Sequence, residues 1–351
     1  MGKYGSKRAK SRMVVESFHR AIAKMRGMQL PRFIMLSVAL LAAAGCSSSG
    51  ASKATLPALS SAAPESTGID VGAHALLYAG GPSQNAVGVY RARADNPKPL
   101  RTIRSGLNAP TGIAVDSSGS AYVCNNAGTD ARRRAPGKGT WTVAVYKRGQ
   151  TTPFETYSDS VWNPVDVAIA ADGTVYIANY SSVVTVYPPG SLHPSARLVA
   201  PSGQAPLGIA FDAAGNIFVS YVSASGGGSV YKYAPGQTTG SNLGIGFSGS
   251  PHGLAVDRDG NLVVAVSKAP GPGSDIEIFP PGGTHPKKTI NGPFQPFMIA
   301  FGRNGRELFA ADFGSGNGDG GVFRFAYPSG TLIAKDTQGP AASAYGVAID
   351  P

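Results

Sequence analysis

Cysteine is scarce in this chain, with only Cys46 and Cys124 among 351 residues. Two thiols exclude a disulfide-stapled fold and any zinc site built on cysteines. Charge is also thin, at 15% Asp, Glu, Lys and Arg, whereas Gly at 47 and Pro at 27 are abundant. Long amphipathic helices need the first and are broken by the second, so a turn-rich all-β chain is expected. No apolar run reaches the roughly 20 residues of a membrane-spanning helix.

The formal charge of +11 suggests a nucleic-acid partner until it is located along the chain. Residues 1–45 hold nine Lys or Arg and one acid, which leaves 22 basic against 19 acidic residues from Cys46 onward. A balance of +3 gives no reason to expect nucleic-acid binding.

The basic excess belongs to an address. From Phe33 to Ala44 the chain runs Phe-Ile-Met-Leu-Ser-Val-Ala-Leu-Leu-Ala-Ala-Ala, after Arg26 and Arg32 and before Gly45-Cys46. Twelve apolar residues suit the core of a signal peptide. Ala43, Ala44 and Gly45 before Cys46 resemble the bacterial lipobox, which implies cleavage before Cys46, a lipid on its thiol and anchoring by apolar burial. Met25 or Met28 is a better-placed start than Met1 for a leader of ordinary length. Residues 46–70, rich in Ser, Ala, Gly and Pro, read as the lipidated cysteine and a flexible tether of about 25 to 30 Å reach. The expected location is the cell envelope, on a membrane and facing the periplasm or the exterior. Ser47 goes with the outer membrane if the envelope is of the Gram-negative type.

Self-similarity sets the fold. Pro110-Thr-Gly-Ile-Ala-Val-Asp116 returns as Pro164-Val-Asp-Val-Ala-Ile, Pro206-Leu-Gly-Ile-Ala-Phe-Asp212, Pro251-His-Gly-Leu-Ala-Val-Asp257, Pro296-Phe-Met-Ile-Ala-Phe and Ala344-Tyr-Gly-Val-Ala-Ile-Asp350. The intervals of 54, 42, 45, 45 and 48 residues match a four-stranded propeller blade. Each unit reads as a buried strand, an Asp-x-x-Gly turn, a second strand such as Asn216-Ile-Phe-Val-Ser220, and a third strand ending in an aromatic. The third strands, Val143–Tyr146, Val184–Tyr187, Val230–Tyr233 and Asp275–Phe279, alternate apolar and polar residues as half-exposed sheets do. Near the amino end Ala75–Tyr78 and Val87–Tyr90 lack a first strand, and the carboxyl fragment supplies it. The expectation is a six-bladed β-propeller over residues 71–351, closed by the C-terminal strand joining the N-terminal blade and so freed of open edges. A monomer is expected.

On those units, residues 75–351 resemble NHL-repeat propellers and the six-bladed regucalcin-like gluconolactonases. Pro251-His-Gly also resembles the blade start of streptogramin B lyases, which are seven-bladed. In such propellers the residue between Pro and Gly and the residue ending the second strand lie near one mouth of the channel. The first ring is then Thr111, Asp166, Leu207, His252, Phe297 and Tyr345, and the second Gly81, Asn125, Asn179, Tyr221, Val266 and Asp312. Such a mixture suits a small molecule or a metal.

The gluconolactonase resemblance implies a divalent cation such as calcium on Asp166, Asn125, Asn179 and Asp312, polarising a lactone for attack by water. The Glu-Gly-Pro opening that carries a ligand in that family is absent, and neither ring holds a Glu. The lyase resemblance implies His252 as general acid or base, yet His74, His193 and His285 fall outside both rings. The expected function is therefore a membrane-tethered binding or scaffold module with a small-molecule ligand or an envelope protein at the mouth. A metal-dependent hydrolase or lyase is the alternative. Arg132 to Arg134 read as a solvated loop or a contact for anionic polymer. Asp312, Asn317 and Asp319 read as a flexible turn or a calcium loop, and Cys124 as a small buried residue.

Overall fold

The computed structural model describes residues 75–126, 141–180, 183–268, 274–292, 295–314 and 319–350. The leader, Cys46, the tether, Arg132 to Arg134 and Asn317 lie outside the described residues. Those described form six four-stranded antiparallel sheets, with one short 3-10 turn at Gly339–Ser343. Blade 1 carries Leu76–Gly81, Ala86–Arg91 and Arg101–Ile103. The inner strands of blades 2 to 6 are Pro110–Val115, Pro164–Ile169, Gln204–Phe211, Ser250–Val256 and Pro296–Phe301. Gly346–Ile349 is the inner strand of blade 1. Successive inner strands touch, and the last touches that of blade 2, so the ring is closed.

Closure from both termini is as expected. Leu77 pairs with Ile349, Tyr78 with Ala348 and Ala79 with Val347. The repeat's Asp-x-x-Gly turns explain why the seam holds. Asp116, Asp212 and Asp257 each spend a carboxylate oxygen on backbone N–H groups of the turn that follows, which fixes the reversal. Asp350 is engaged differently. Its carboxylate, 1% exposed, instead accepts the Leu76 N–H at 2.7 Å and ion pairs with Arg148 and Arg303. Blades 1, 2 and 6 are thereby tied at one point.

There is no central core. Six apolar clusters fill the six interfaces between neighbouring blades. Alternate residues of a strand serve opposite interfaces: Leu76 and Tyr78 pack toward blade 2, Leu77 and Ala79 toward blade 6. The third strands are accordingly not half-exposed as expected, because both faces of each sheet are covered. Thr185, Asp275 and Glu277 are all buried. Thr185 Oγ1 accepts from the Asn179 amide, and Glu277 Oε1 accepts from Ser248.

The aromatic that ends each third strand clamps the strap leading into its own blade. Tyr90, Tyr146 and Tyr187 donate their hydroxyls to the carbonyls of Gln338, Ser105 and Asp159, and Phe279 packs edge-on against Phe247. In blade 4 the Tyr233 hydroxyl bonds Tyr221 instead.

Replacing Asp350 by Ala should lower unfolding free energy by about 2–4 kcal/mol, since it strands a buried N–H and two partly solvated guanidinium groups. Urea unfolding of the variant checks this, and a change below about 0.5 kcal/mol would mean the seam is held elsewhere.

Candidate functional site

The channel mouth is set by where the inner strands begin. Inner strands converge so closely that glycine at the third position of the repeat faces backbone across the gap. A Cβ on Gly253 would lie 2.6 Å from the Phe297 carbonyl oxygen, and one on Gly346 2.1 Å from that of Thr111. Side chains one residue earlier are thrown over the mouth.

His252, Phe297 and Tyr345 occupy that position in blades 5, 6 and 1 and form one continuous stack. The His252 and Phe297 rings are 4.8 Å apart between centroids, and Phe297 and Tyr345 are 4.0 Å apart. Phe313 meets Phe297 edge-on at 6.3 Å. Tyr345 is buried, while His252 and Phe297 keep part of their surface at the mouth. On the opposite arc Thr111 donates to the Pro164 carbonyl at 3.0 Å, and Leu207 is buried. The repeat register puts Thr111, Leu207, His252, Phe297 and Tyr345 at one equivalent inner-strand position, and the last three bring their rings together.

Asp166 is misplaced in the first ring. Pro164 pairs with Asn179 as Pro110 pairs with Asn125, so Val165 is the counterpart of Thr111. Asp166 stands in the glycine register, and its Cα fits because Gly112 lies opposite, with room there for no Cβ. Its Oδ2 accepts the Ile209 N–H at 2.9 Å. With Ala168, Gly253, Met298 and Ala348 it lines a channel cavity of about 200 Å³. Burial pushes its carboxyl up to about 7, against N–H bonds from Ile209 and Val167 that favour the anion. Burial likewise pushes the His252 imidazole down to about 4, with the Pro296 carbonyl opposing. His252 Nδ1 is buried without a hydrogen-bond partner.

The second ring is displaced by one residue. Asn125 Oδ1 accepts the Asn108 N–H, Asn179 Oδ1 the Trp162 N–H, and Asp312 Oδ1 those of Gln295 and Gly314. Each brace holds the strap entering the same blade. Tyr221 is fully buried on Tyr233, Val266 is buried, and a Cβ on Gly81 would strike the Ser343 carbonyl. The mouth is reached instead by the next residues. Asn126 donates to the Pro164 carbonyl at 3.2 Å, Phe313 abuts Phe297, and Tyr180 lies close enough to Tyr345 to raise its hydroxyl's pKa. The signal that would have found them is the ladder itself: the residue paired with Pro is the last in the strand, and the one after it leaves the sheet.

Asp166, Asn125, Asn179 and Asp312 therefore do not fit a hard cation. The three strap braces have oxygens aimed at backbone amides of three separate blades, and Asp166 is held toward its neutral form. Among the described residues no three His, Cys, Asp or Glu converge. Cys124 is fully buried with its thiol pushed well up by burial, inert as its small-residue position implied. His193 pairs with Asp159 and His285 with Thr284 on exposed loops, away from His252.

Fold and site together define a six-bladed β-propeller with an aromatic mouth. No family model and no curated protein matches the sequence. Solved propellers are similar in shape: a chain of a nidogen/laminin complex has a TM-score of 0.61 at 16% identity, covering 79% of this chain and 98% of that one. A protein of unknown function from Bacteroides caccae has a TM-score of 0.55 at 14% identity, covering 79% and 98%. A functionally unknown protein from Desulfotomaculum acetoxidans has 0.51 at 16%, covering 76% and 83%. At such identities the likeness is one of fold.

Asp166 gives the site a testable pH signature. Between about pH 4 and 7 the native state keeps a proton that the unfolded chain has released, so this stabilisation is full at low pH and falls as pH rises through 7. His252 runs oppositely, losing stability as pH drops below about 6.5. Asp166→Asn removes only the first slope. The unfolding free energy of the variant minus that of the wild type should grow by on the order of 1–3 kcal/mol from pH 4 to 8; a flat difference would show an ordinary ionised carboxylate.

Proposed function

We propose that this chain is a lipid-anchored binding module of the cell envelope, an NHL-like propeller that takes a planar small molecule at its channel mouth. The observation that carries the binding half is the His252–Phe297–Tyr345 stack. Three successive blades place rings at the one inner-strand position that faces the opening, and two stay partly exposed. A flat ring ligand extends such a stack and gains both apolar burial and offset-stacking attraction. Asn126 and Thr111, both donating to the Pro164 carbonyl, fix the backbone on the other side of the ring of inner strands.

Binding is favoured over catalysis by the state of the titratable groups. A general acid or base needs a pKa near the working pH and a partner that orients it. His252 is held neutral with its Nδ1 unpartnered, and among the described residues no carboxylate bonds to it. The anchoring half rests on the sequence: a twelve-residue apolar core, small residues before Cys46, and a Ser-rich stretch after it. A tethered monomer of this form presents its mouth to solutes or partners within about 25 to 30 Å of a membrane surface.

Two measurements test the two halves. A thermal-shift panel of water-soluble planar rings, nucleosides, flavins and pterins, should contain compounds that raise the wild-type melting temperature and leave Phe297→Ala unmoved, as ligand linkage requires. A panel in which the two proteins respond alike removes the mouth as the site. For the anchor, cells fed labelled palmitate should label the wild type and not Cys46→Ser, and the variant should leave the membrane fraction. An unlabelled wild type would reduce the leader to a plain secretory signal.

A further inference from the structure

The chain has only two tryptophans, and the fold brings them together. Trp141 precedes the third strand of blade 2 (Thr142–Tyr146), and Trp162 lies in the strap that leads into blade 3. Their ring centroids are 4.1 Å apart and the planes are inclined at 47°. Trp141 rests on the apolar layer between blades 2 and 3, against residues such as Val143, Val161 and Val167. Trp162 is not part of that layer and is 48% exposed, an unusual state for the residue with most apolar surface to hide.

The backbone N–H of Trp162 is braced by Asn179 Oδ1 at 2.7 Å, as that of Asn108 is by Asn125 in the strap into blade 2. Ser160 and Asn163 adopt left-handed φ values of +59° and +55°, and Gly106 and Ala109 do so at the same places of the blade 2 strap. The strap geometry is thus that of the repeat, and what sets this strap apart is an indole where blade 2 has Asn108. Around it the strap is polar rather than apolar. Asp159 pairs with exposed His193 at 2.9 Å, and Arg197 donates to Ser160 Oγ at 3.2 Å.

We infer that Trp162, backed by Trp141, is a platform for a saccharide, specifically a β-linked glycan of gluco configuration. In such pyranoses the ring substituents are equatorial, so each face presents C–H bonds with partial positive charge to the negative face of an indole. The hydroxyls radiate around the ring edge and call for polar partners, which the strap beside Trp162 carries in Asp159 and Ser160, paired with His193 and Arg197. A protein partner would call for a wider apolar patch around the indole, and the strap supplies ionic groups there instead. The residues are not those of the aromatic mouth, so this site and the one proposed above stand or fall separately.

Titration of the full chain with chitotetraose, in a detergent that has no sugar headgroup, tests the inference. All tryptophan emission comes from this pair, so binding should shift it saturably, with half-saturation in the micromolar to low-millimolar range, about 10⁻⁵ to 10⁻³ M. By calorimetry Trp162→Ala should weaken binding at least about tenfold, and Trp162→Tyr should restore part of it. The melting temperature of both variants should stay within about 2 °C of wild type, because an exposed side chain outside the core is removed. No saturable change in the wild type up to about 10 mM, or equal affinity in Trp162→Ala, overturns the assignment.

Discussion

Six sheets converging on one axis leave no room for side chains where their inner strands first meet. That steric constraint organises the molecule. Gly112, Gly208, Gly253 and Gly346 each face the backbone of the next blade at distances no Cβ tolerates, so four of the six inner strands carry glycine there, while Asp166 and Met298 hold the same register in blades 3 and 6 and line the channel cavity. Where the pattern is broken, the break is paired: Asp166 takes the glycine register of blade 3 because Gly112 of blade 2 lies against it. A carboxyl is thereby placed inside the channel, where burial favours its protonated form.

The straps between blades are the second organising feature. A strap crosses from the outer strand of one blade to the inner strand of the next, exposing backbone groups that no ladder satisfies. Asn125, Asn179 and Asp312 take the strap N–H groups, and Tyr90, Tyr146 and Tyr187 take its carbonyls. Amides, carboxylates and tyrosines recurring at fixed places in half of the repeats are what a metal or ligand ring would also display. Their chemistry is the same in either role, and only the direction of the side chain separates them.

Burial on both faces of every sheet has a further effect on polar residues. Thr185, Asp275 and Glu277 sit at alternating positions that look solvent-facing on a single sheet. In a ring of blades the far face of one sheet is the near face of its neighbour, so these groups need internal partners. Ser248 holds Glu277 and Lys268 holds Asp275. The same logic makes the buried carboxylate of Asp350 the tie between three blades.

The number of blades, their strand order and the closure of the ring from both termini are legible in the chain before it folds. All three follow from the period of the Pro-x-Gly units and from a first strand missing at one end and present at the other. Thr111, His252, Phe297 and Tyr345 share one inner-strand position that is counted directly from the repeat. The same count gives Val165, not Asp166, in blade 3. The work of Asn125, Asn179 and Asp312 as strap braces, and the meeting of Trp141 with Trp162, emerge only when the blades are packed. Those outcomes depend on a single step of register and on straps from different blades. Period-two alternation fixes which residues share a face but not which face meets the axis, and residues 21 apart in the chain come together only when two blades pack.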